Sequence, residues 1–342
     1  MNLRLLLLPF TLIYAAIMMV RNRLYDWHLL RSVSSSKPVI CVGNITVGGT
    51  GKTPFIEHLI SILQPYQPSV VSRGYRRKTH GLVVATSQST AIEIGDEPCQ
   101  MHHKHPQVPI AVCEDRALAI AHLATHTSTN VVLMDDGFQH RSVRAGLYIL
   151  ITDYARPMWS DFTFPAGNMR EPWQGRHRAN IIVVNKCRPD LSLAERDKIK
   201  AKLSTNSDVF FSTIEYGSLT TFDGKTTTLP STTKILAVAG IGRPEPFFSE
   251  IERHFADVKR ISFADHHRFA ASEIEQISQT CQSENRVLIT TEKDAMRLRE
   301  YVEQLTINVV YLPIQLRILF GEAEKLNTKI LQYVRQFDRA NK

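Results

Sequence analysis

The sequence predicts an α/β fold built on a largely parallel sheet, with a second, smaller α/β lobe. Three observations carry this. Short apolar runs recur: PVICVGN (38–44), SVVSR (69–73), VPIAVCE (108–114), NVVLMDD (130–136), LYILITD (147–153) and NIIVVNK (180–186). Runs without alternation suit strands buried on both faces. Segments of helical spacing lie between several of them, such as 54–63 and 116–125, and strands alternating with helices make a doubly wound sheet. The pattern then breaks and restarts with KILAVAGIG (234–242), RVLITTEKDA (286–295) and INVVYLPI (307–314).

The break falls at VFFSTIEYG (209–217) and LTTFDGKTTTL (219–229), two strand-like stretches with turn residues at Gly217-Ser218 and Asp223-Gly224. They read as a β-hairpin linker. The expected organisation is an N-terminal helix over 1–25, a core over 26–208, the linker over 209–229, and a second lobe with a C-terminal helix over 230–342. A length of 342 residues suits two domains.

The net charge of +8, from 41 Lys and Arg against 33 Asp and Glu, favours anionic partners: nucleic acid, phosphorylated substrates or an anionic membrane surface. The basic residues follow the apolar N-terminus and loop ends, not one stripe with interleaved aromatics, which argues against nucleic acid. Five scattered cysteines with no CxxC pair make neither a disulfide framework nor a zinc site. They point to a reducing compartment, with Cys41 and Cys113 as core residues.

Leu5 to Val20 reads LLLLPFTLIYAAIMMV, sixteen residues without a charge, followed by Arg21, Arg23, Arg31 and Lys37. A full span needs about 20 apolar residues. Three readings compete: a helix lying in the membrane interface, a short single span, and a buried core helix. The arginines favour membrane association, because cations near a headgroup surface attract anionic lipid and usually stay cytoplasmic.

The first apolar run leads into Thr46-Val47-Gly48-Gly49-Thr50-Gly51-Lys52-Thr53. The strict phosphate-loop pattern is G-x-x-x-x-G-K-[ST]. Thr46 stands where it has glycine; Gly51, Lys52 and Thr53 match. Between a strand end and a helix start, the loop's N–H groups point at phosphate oxygens. Lys52 would reach the β- and γ-phosphates, and the Thr53 hydroxyl would hold Mg²⁺. Asp135 and Asp136 close another apolar run, where a carboxylate binds Mg²⁺ directly or through water; which lies nearer the metal stays open. The core is thus P-loop NTPase-like, with ATP and Mg²⁺ as expected cofactors. Met134 stands where a Ras-type D-x-x-G needs Asp, Arg188 ends Asn185-Lys186-Cys187-Arg188 where guanine selection uses Asp, and Val47 stands where partition-type ATPases carry Lys.

Together, VGNITVGGTGKTP (42–54), SRGYRR (72–77), GDEP (95–98), LMDDGFQHR (133–141), PAGNMREP (165–172) and FADHHRF (263–269), behind the apolar N-terminus, resemble the tetraacyldisaccharide 4′-kinase family of lipid A biosynthesis. The resemblance spans nearly the whole chain. It implies transfer of the ATP γ-phosphoryl group to the 4′-hydroxyl of a tetraacyldisaccharide 1-phosphate, giving lipid IVA. It also implies a lipid-linked disaccharide phosphate as partner, no stable protein partner, and a place on the cytoplasmic face of the bacterial inner membrane, peripheral or by a single short span. The alternative is a membrane-associated P-loop NTPase switch without a small-molecule acceptor.

A sugar hydroxyl needs a group that takes its proton. Read alone, Asp96 is a helix cap before Glu97, and His266 a surface or structural histidine. The resemblance makes Asp96 the base and His266 its assistant, with Lys52 catalytic as well. Arg73, Tyr75, Arg76 and Arg77 follow a strand end and suit a phosphate, arginine forks matching its geometry. Glu97, Arg170 and Glu171 are further substrate-binding candidates, and Thr291-Glu292-Lys293-Asp294 reads as structural or adenine-side.

Overall fold

Val39–Gly43 lies near the middle of the larger sheet, parallel to Val131–Asp135 on one side and Leu147–Asp153 on the other. The computed structural model describes residues 3–302, 304–305 and 307–340. Within these the larger sheet has nine strands and a separate sheet has five, the α/β core and smaller lobe that the sequence predicts. Pro68–Ser72 and Ile110–Val112 extend the parallel run on one flank, Ile181–Asn185 on the other. Every residue of Val39–Gly43, Pro68–Ser72, Val131–Asp135 and Ile181–Asn185 is buried, so these segments lack alternation.

Helix Lys52–Leu63 covers one sheet face, packing Phe55, Leu59 and Leu63 beside Ile40, Val42 and Leu133. Helix Arg116–His126 covers the other with Ala119, Ile120 and Leu123 against Cys41, Val71 and Met134. Fully burying one such Leu or Phe is worth roughly 1.5–3 kcal/mol over leaving it exposed. All five cysteines are free and buried.

The linker region departs from the expected hairpin. Asp208–Tyr216 is a strand of the larger sheet, parallel to Ile181–Asn185 and antiparallel to Ile314–Ile318. Thr220–Thr221 belongs to the smaller sheet, paired with Val309–Leu312. A tight turn does form around Asp223-Gly224, closed by Thr221 N donating to the Lys225 carbonyl and Thr227 N to that of Leu219. The connection between lobes is thus an outgoing and a returning strand far apart in sequence, which local turn residues cannot reveal. The C-terminal helix Ala323–Ala340, expected with the second lobe, packs Leu326, Ile330 and Val334 into the first lobe's core.

The second lobe stacks Thr220–Thr221, Val309–Leu312, Val287–Thr291, Ile235–Ala239 and Val258–Ser262 in that order. Helices Glu245–His254 and Ala271–Ser283 cover its two faces with Phe247, Phe248 and Ile251, and with Ile274 and Ile277.

Helix Leu8–Asp26 is not a buried core helix: Phe10, Leu12, Ile13, Ile17 and Val20 are each at least 59% exposed. It docks through its other side. Ala166 N donates to Thr11 Oγ1 at 3.0 Å, Tyr14 Oη to the Arg170 carbonyl at 2.7 Å, and Asn22 Nδ2 to Glu171 Oε2 at 3.0 Å. The single short span is not met either: among the described residues no helix is long and apolar enough to cross a membrane. Trp27, Leu29 and Leu30 continue the exposed apolar surface, with Arg23 and Arg31 exposed beside them.

Candidate active site

The strand Val39–Gly43 runs through residues 44–51 into helix Lys52–Leu63, the geometry a phosphate loop needs. Gly48 and Gly51 have φ of 98° and 86°, the left-handed region where glycine is unstrained. A Cβ on Gly51 would also stand 2.1 Å from Asn185 Nδ2. Asn185 Nδ2 donates to the Thr50 carbonyl at 2.9 Å, and Asn44 Nδ2 to Thr50 Oγ1 at 3.0 Å. Upstream, Val47 N donates to the Asn168 carbonyl and Arg170 N to that of Ile45, while Thr46 bridges Met169. This stretch is strand-like, so Thr46 serves where the usual pattern has glycine.

Lys52 Nζ lies 3.4 Å from Asp136 Oδ1. Arg170 Nη1 donates to both Asp136 oxygens, at 3.0 and 2.9 Å. Burial alone would raise the Asp136 carboxyl; the charges of Lys52 and Arg170 outweigh it and hold the group below its usual value. Asp135 stands apart. Its Oδ2 accepts from Ser72 Oγ at 3.1 Å, and its buried Oδ1 has no hydrogen-bond partner. Burial pushes its carboxyl up, and the charge of Glu97 adds to that. Among the described residues no cluster of three or more His, Cys, Asp or Glu is placed to hold a metal. Mg²⁺ keeps several waters and takes one or two carboxylates, so an orphaned carboxylate oxygen beside a phosphate loop fits it.

Asp96 opens helix Asp96–Lys104, and the cap position is Gly95, at φ 93°. Asp96 is therefore not the cap. Its Oδ2 lies 2.9 Å from His266 Nδ1, 2.5 Å from Arg297 Nη2 and 3.1 Å from Arg297 Nε. Asp96 comes from the first lobe, His266 and Arg297 from the second. Burial alone would raise the Asp96 carboxyl; the hydrogen bonds from His266 and Arg297 and the Arg297 and Lys293 charges hold it well below the usual carboxylate range. Arg297 also donates to Asp294 Oδ1 at 2.7 Å and the Gly240 carbonyl at 3.1 Å. His267 turns away, bonded to Glu273 at 2.8 Å and stacked on Phe263.

Two clefts meet at the loop. One, of about 820 Å³, is lined by Val47, Gly48, Lys52, Asp135, Asp136 and Arg170, and reaches Asp96, Glu97, His266, Arg73 and Tyr75. The other, of about 520 Å³, runs from Gly51, Lys52 and Thr53 between the lobes, with apolar walls of Ile214, Tyr216, Ile241, Phe247 and Leu312.

Most expected site residues thus converge. Thr46 and Thr50 support the loop from behind. Glu171 does not line either cleft: it is 1% exposed, forked by Arg178 at 2.8 and 2.9 Å and bonded to Gln139 at 2.9 Å. Its oxygens are occupied in holding the 170s loop and the N-terminal helix, a structural part that its place in a loop did not show. Arg77 pairs with Glu114 at 2.8 Å and holds a turn. Sequence reasoning missed Arg297, whose only signal is one helical turn's spacing from Lys293, and the buried Arg116 and half-buried His140 of the larger cleft. Burial and the Arg116 charge push His140 down to about 4.

A strand, glycine loop and helix, with paired acids on the neighbouring strand end and an acid–histidine pair facing the loop, define a P-loop phosphotransferase. A family model described as Tetraacyldisaccharide-1-P 4′-kinase matches residues 3–335. The chain belongs to that family. It is 42% identical to a tetraacyldisaccharide 4′-kinase of Bacteroides thetaiotaomicron, over 97% of this chain and 94% of the relative. With that of Flavobacterium johnsoniae it shares 40%, over 98% of each. A crystal structure of LpxK from Aquifex aeolicus in complex with ATP superposes with a TM-score of 0.79 at 30% identity, covering 97% of this chain and 99% of that one.

Proposed function

We propose that this chain transfers the γ-phosphoryl group of ATP to the 4′-hydroxyl of tetraacyldisaccharide 1-phosphate, giving lipid IVA, from a position on the cytoplasmic face of the bacterial inner membrane. One observation carries the lipid acceptor. Arg170 forks Asp136 inside the larger cleft while its carbonyl accepts from Tyr14 of the exposed apolar helix. The reaction centre and the lipid-seeking surface are therefore one residue apart.

Lys52 and the loop N–H groups hold the phosphate chain, and the apolar cleft between the lobes takes the purine. Thr53, Asp135 and Asp136 would hold Mg²⁺, which when bound neutralises charge on the β- and γ-oxygens. Every hydrogen bond to the Asp96 side chain among the described residues falls on Oδ2, leaving Oδ1 to face the acceptor hydroxyl. Asp96 receives the proton as the acceptor oxygen bonds phosphorus, and His266 and Arg297 fix its angle. Arg73, Tyr75 and Glu97 line the acceptor cleft, where an arginine fork suits the substrate phosphate.

With γ-labelled ATP and tetraacyldisaccharide 1-phosphate in mixed micelles, label should pass to the lipid. Label recovered only as inorganic phosphate would identify an NTPase switch instead. The surface reading has its own check. Replacing Leu12 and Ile13 by Glu should weaken binding to vesicles containing anionic phosphatidylglycerol tenfold or more, since burying each apolar side chain is worth roughly 1.5–3 kcal/mol. Unchanged co-sedimentation would remove the helix from the membrane contact.

A further inference from the structure

We propose that Lys293 is a catalytic residue, a cation that the second lobe places on the phosphoryl group in transfer, opposite Lys52. The inference rests on the kinase reading above.

Four residues line both clefts: Gly49, Lys52, Glu97 and Lys293. A triphosphate whose purine lies between the lobes and whose terminal phosphate reaches Asp96 must cross that junction. Two of the four are cations. Lys52 comes from the phosphate loop; Lys293 comes from helix Glu292–Leu298 of the other lobe.

That helix is fixed around Lys293. Glu292 pairs with Lys104 of the first lobe at 3.1 Å, and Arg297 with Asp96 at 2.5 Å. Thr291 caps it, its Oγ1 accepting from Asp294 N at 3.1 Å. Both inter-lobe pairs orient the helix, and Lys293 points into the junction between them.

Three neighbouring cations already hold a carboxylate. Arg170 forks Asp136, Arg297 bridges Asp96 and Asp294, and Lys52 has Asp136 at 3.4 Å. Lys293 holds no close carboxylate: Asp265 is 3.8 Å and Glu97 4.0 Å away. Its nearest partner is His266 Nε2 at 3.2 Å. With the His266 proton assigned to Nδ1, towards Asp96, the Nε2 lone pair accepts from the ammonium. An anionic phosphate oxygen makes a stronger, charge-assisted partner than a neutral imidazole. Lys293 therefore exchanges His266 for the phosphoryl group as transfer proceeds, not when the nucleotide first binds.

In the transfer, the acceptor oxygen forms a bond to the γ-phosphorus and its proton passes to Asp96. The bond from that phosphorus to the β,γ-bridging oxygen breaks, and its electron pair leaves with ADP. Charge spreads over the equatorial oxygens and the leaving oxygen, and a preplaced cation there lowers the barrier.

The test compares Lys293→Met and Lys293→Arg with the wild type in three readouts: kcat for lipid phosphorylation, ATP affinity, and affinity for ADP with aluminium fluoride, which mimics the phosphoryl group in flight. Lys293→Met should lower kcat ~10²–10³-fold, leave the ATP Kd within ~3-fold, and abolish the extra affinity for the fluoride complex. Lys293→Arg should restore part of both losses. Two outcomes overturn the proposal: kcat of Lys293→Met within ~3-fold of wild type, or a kcat loss with fluoride-complex affinity intact, which marks a residue acting only through His266. Circular dichroism checks folding, and Lys293→Gln takes the place of Met if that variant unfolds. A wild-type protein that phosphorylates no lipid fails the kinase reading instead.

Discussion

Asp96→Asn should slow phosphoryl transfer ~10²–10⁴-fold, the usual worth of a placed proton acceptor, while ATP affinity stays near wild type. The amide keeps the side chain's size and leaves an oxygen for His266 and Arg297, so the loss reports the missing charge and basicity. Because its partners hold Asp96 well below the usual carboxylate range, it stays ionised from alkaline pH down through that range, and the activity it supports fails only when the pH falls lower still. A group this acidic is a weak base. It takes the proton late, as suits a loose transition state in which the nucleophile needs little activation. A rate within about threefold of wild type for Asp96→Asn would remove Asp96 from the base role; an acid limb near neutrality that vanishes in the variant would instead show that its partners do not hold it in the acidic range.

Lys52→Met is the second large effect. The side chain is only 11% exposed and its ammonium lies 3.4 Å from Asp136. Its loss removes a preplaced charge at the β- and γ-phosphates, worth on the order of 10²–10³-fold in kcat. It also takes away one of the two cations holding Asp136 ionised, leaving Arg170 alone. Single-turnover transfer of labelled phosphate should show the loss even at saturating ATP. Recovery of full rate at high ATP would reduce Lys52 to a simple binding contact.

The sequence made the first lobe legible because its signals are local. Val39–Gly43 and Val131–Asp135 are buried on both faces, hence unbroken apolar runs. The loop announces itself through Gly51, Lys52 and Thr53, which must be contiguous to work. Asp96 and His266 are different: 170 positions separate them, and residue types alone left both as ordinary. Only the family resemblance paired them, and the fold brings them to 2.9 Å. Arg297 carried only its one-turn spacing from Lys293, since a buried arginine with two carboxylates reads in sequence like any helix-surface charge. Glu171 failed the other way: its place in a polar loop suggested a ligand, but the loop folds inward and Arg178 occupies it. The linker was misread because the strand partner of Asp208–Tyr216 lies about a hundred residues on, at Ile314–Ile318, where turn chemistry has no reach.

That pairing also sets an order of assembly. Tyr216 stands opposite Ile314 in register, so the second lobe leaves and re-enters the first through adjacent strands, its ends about 5 Å apart. It is an insertion in the nucleotide-binding lobe, not an appendage. On a ribosome the phosphate loop emerges early, yet its sheet lacks the edge strand and the helix bearing Leu326, Ile330 and Val334 until the final stretch of chain follows. The lobe begun first is completed last, and premature termination anywhere in the insertion strands it with an open edge and a bare core.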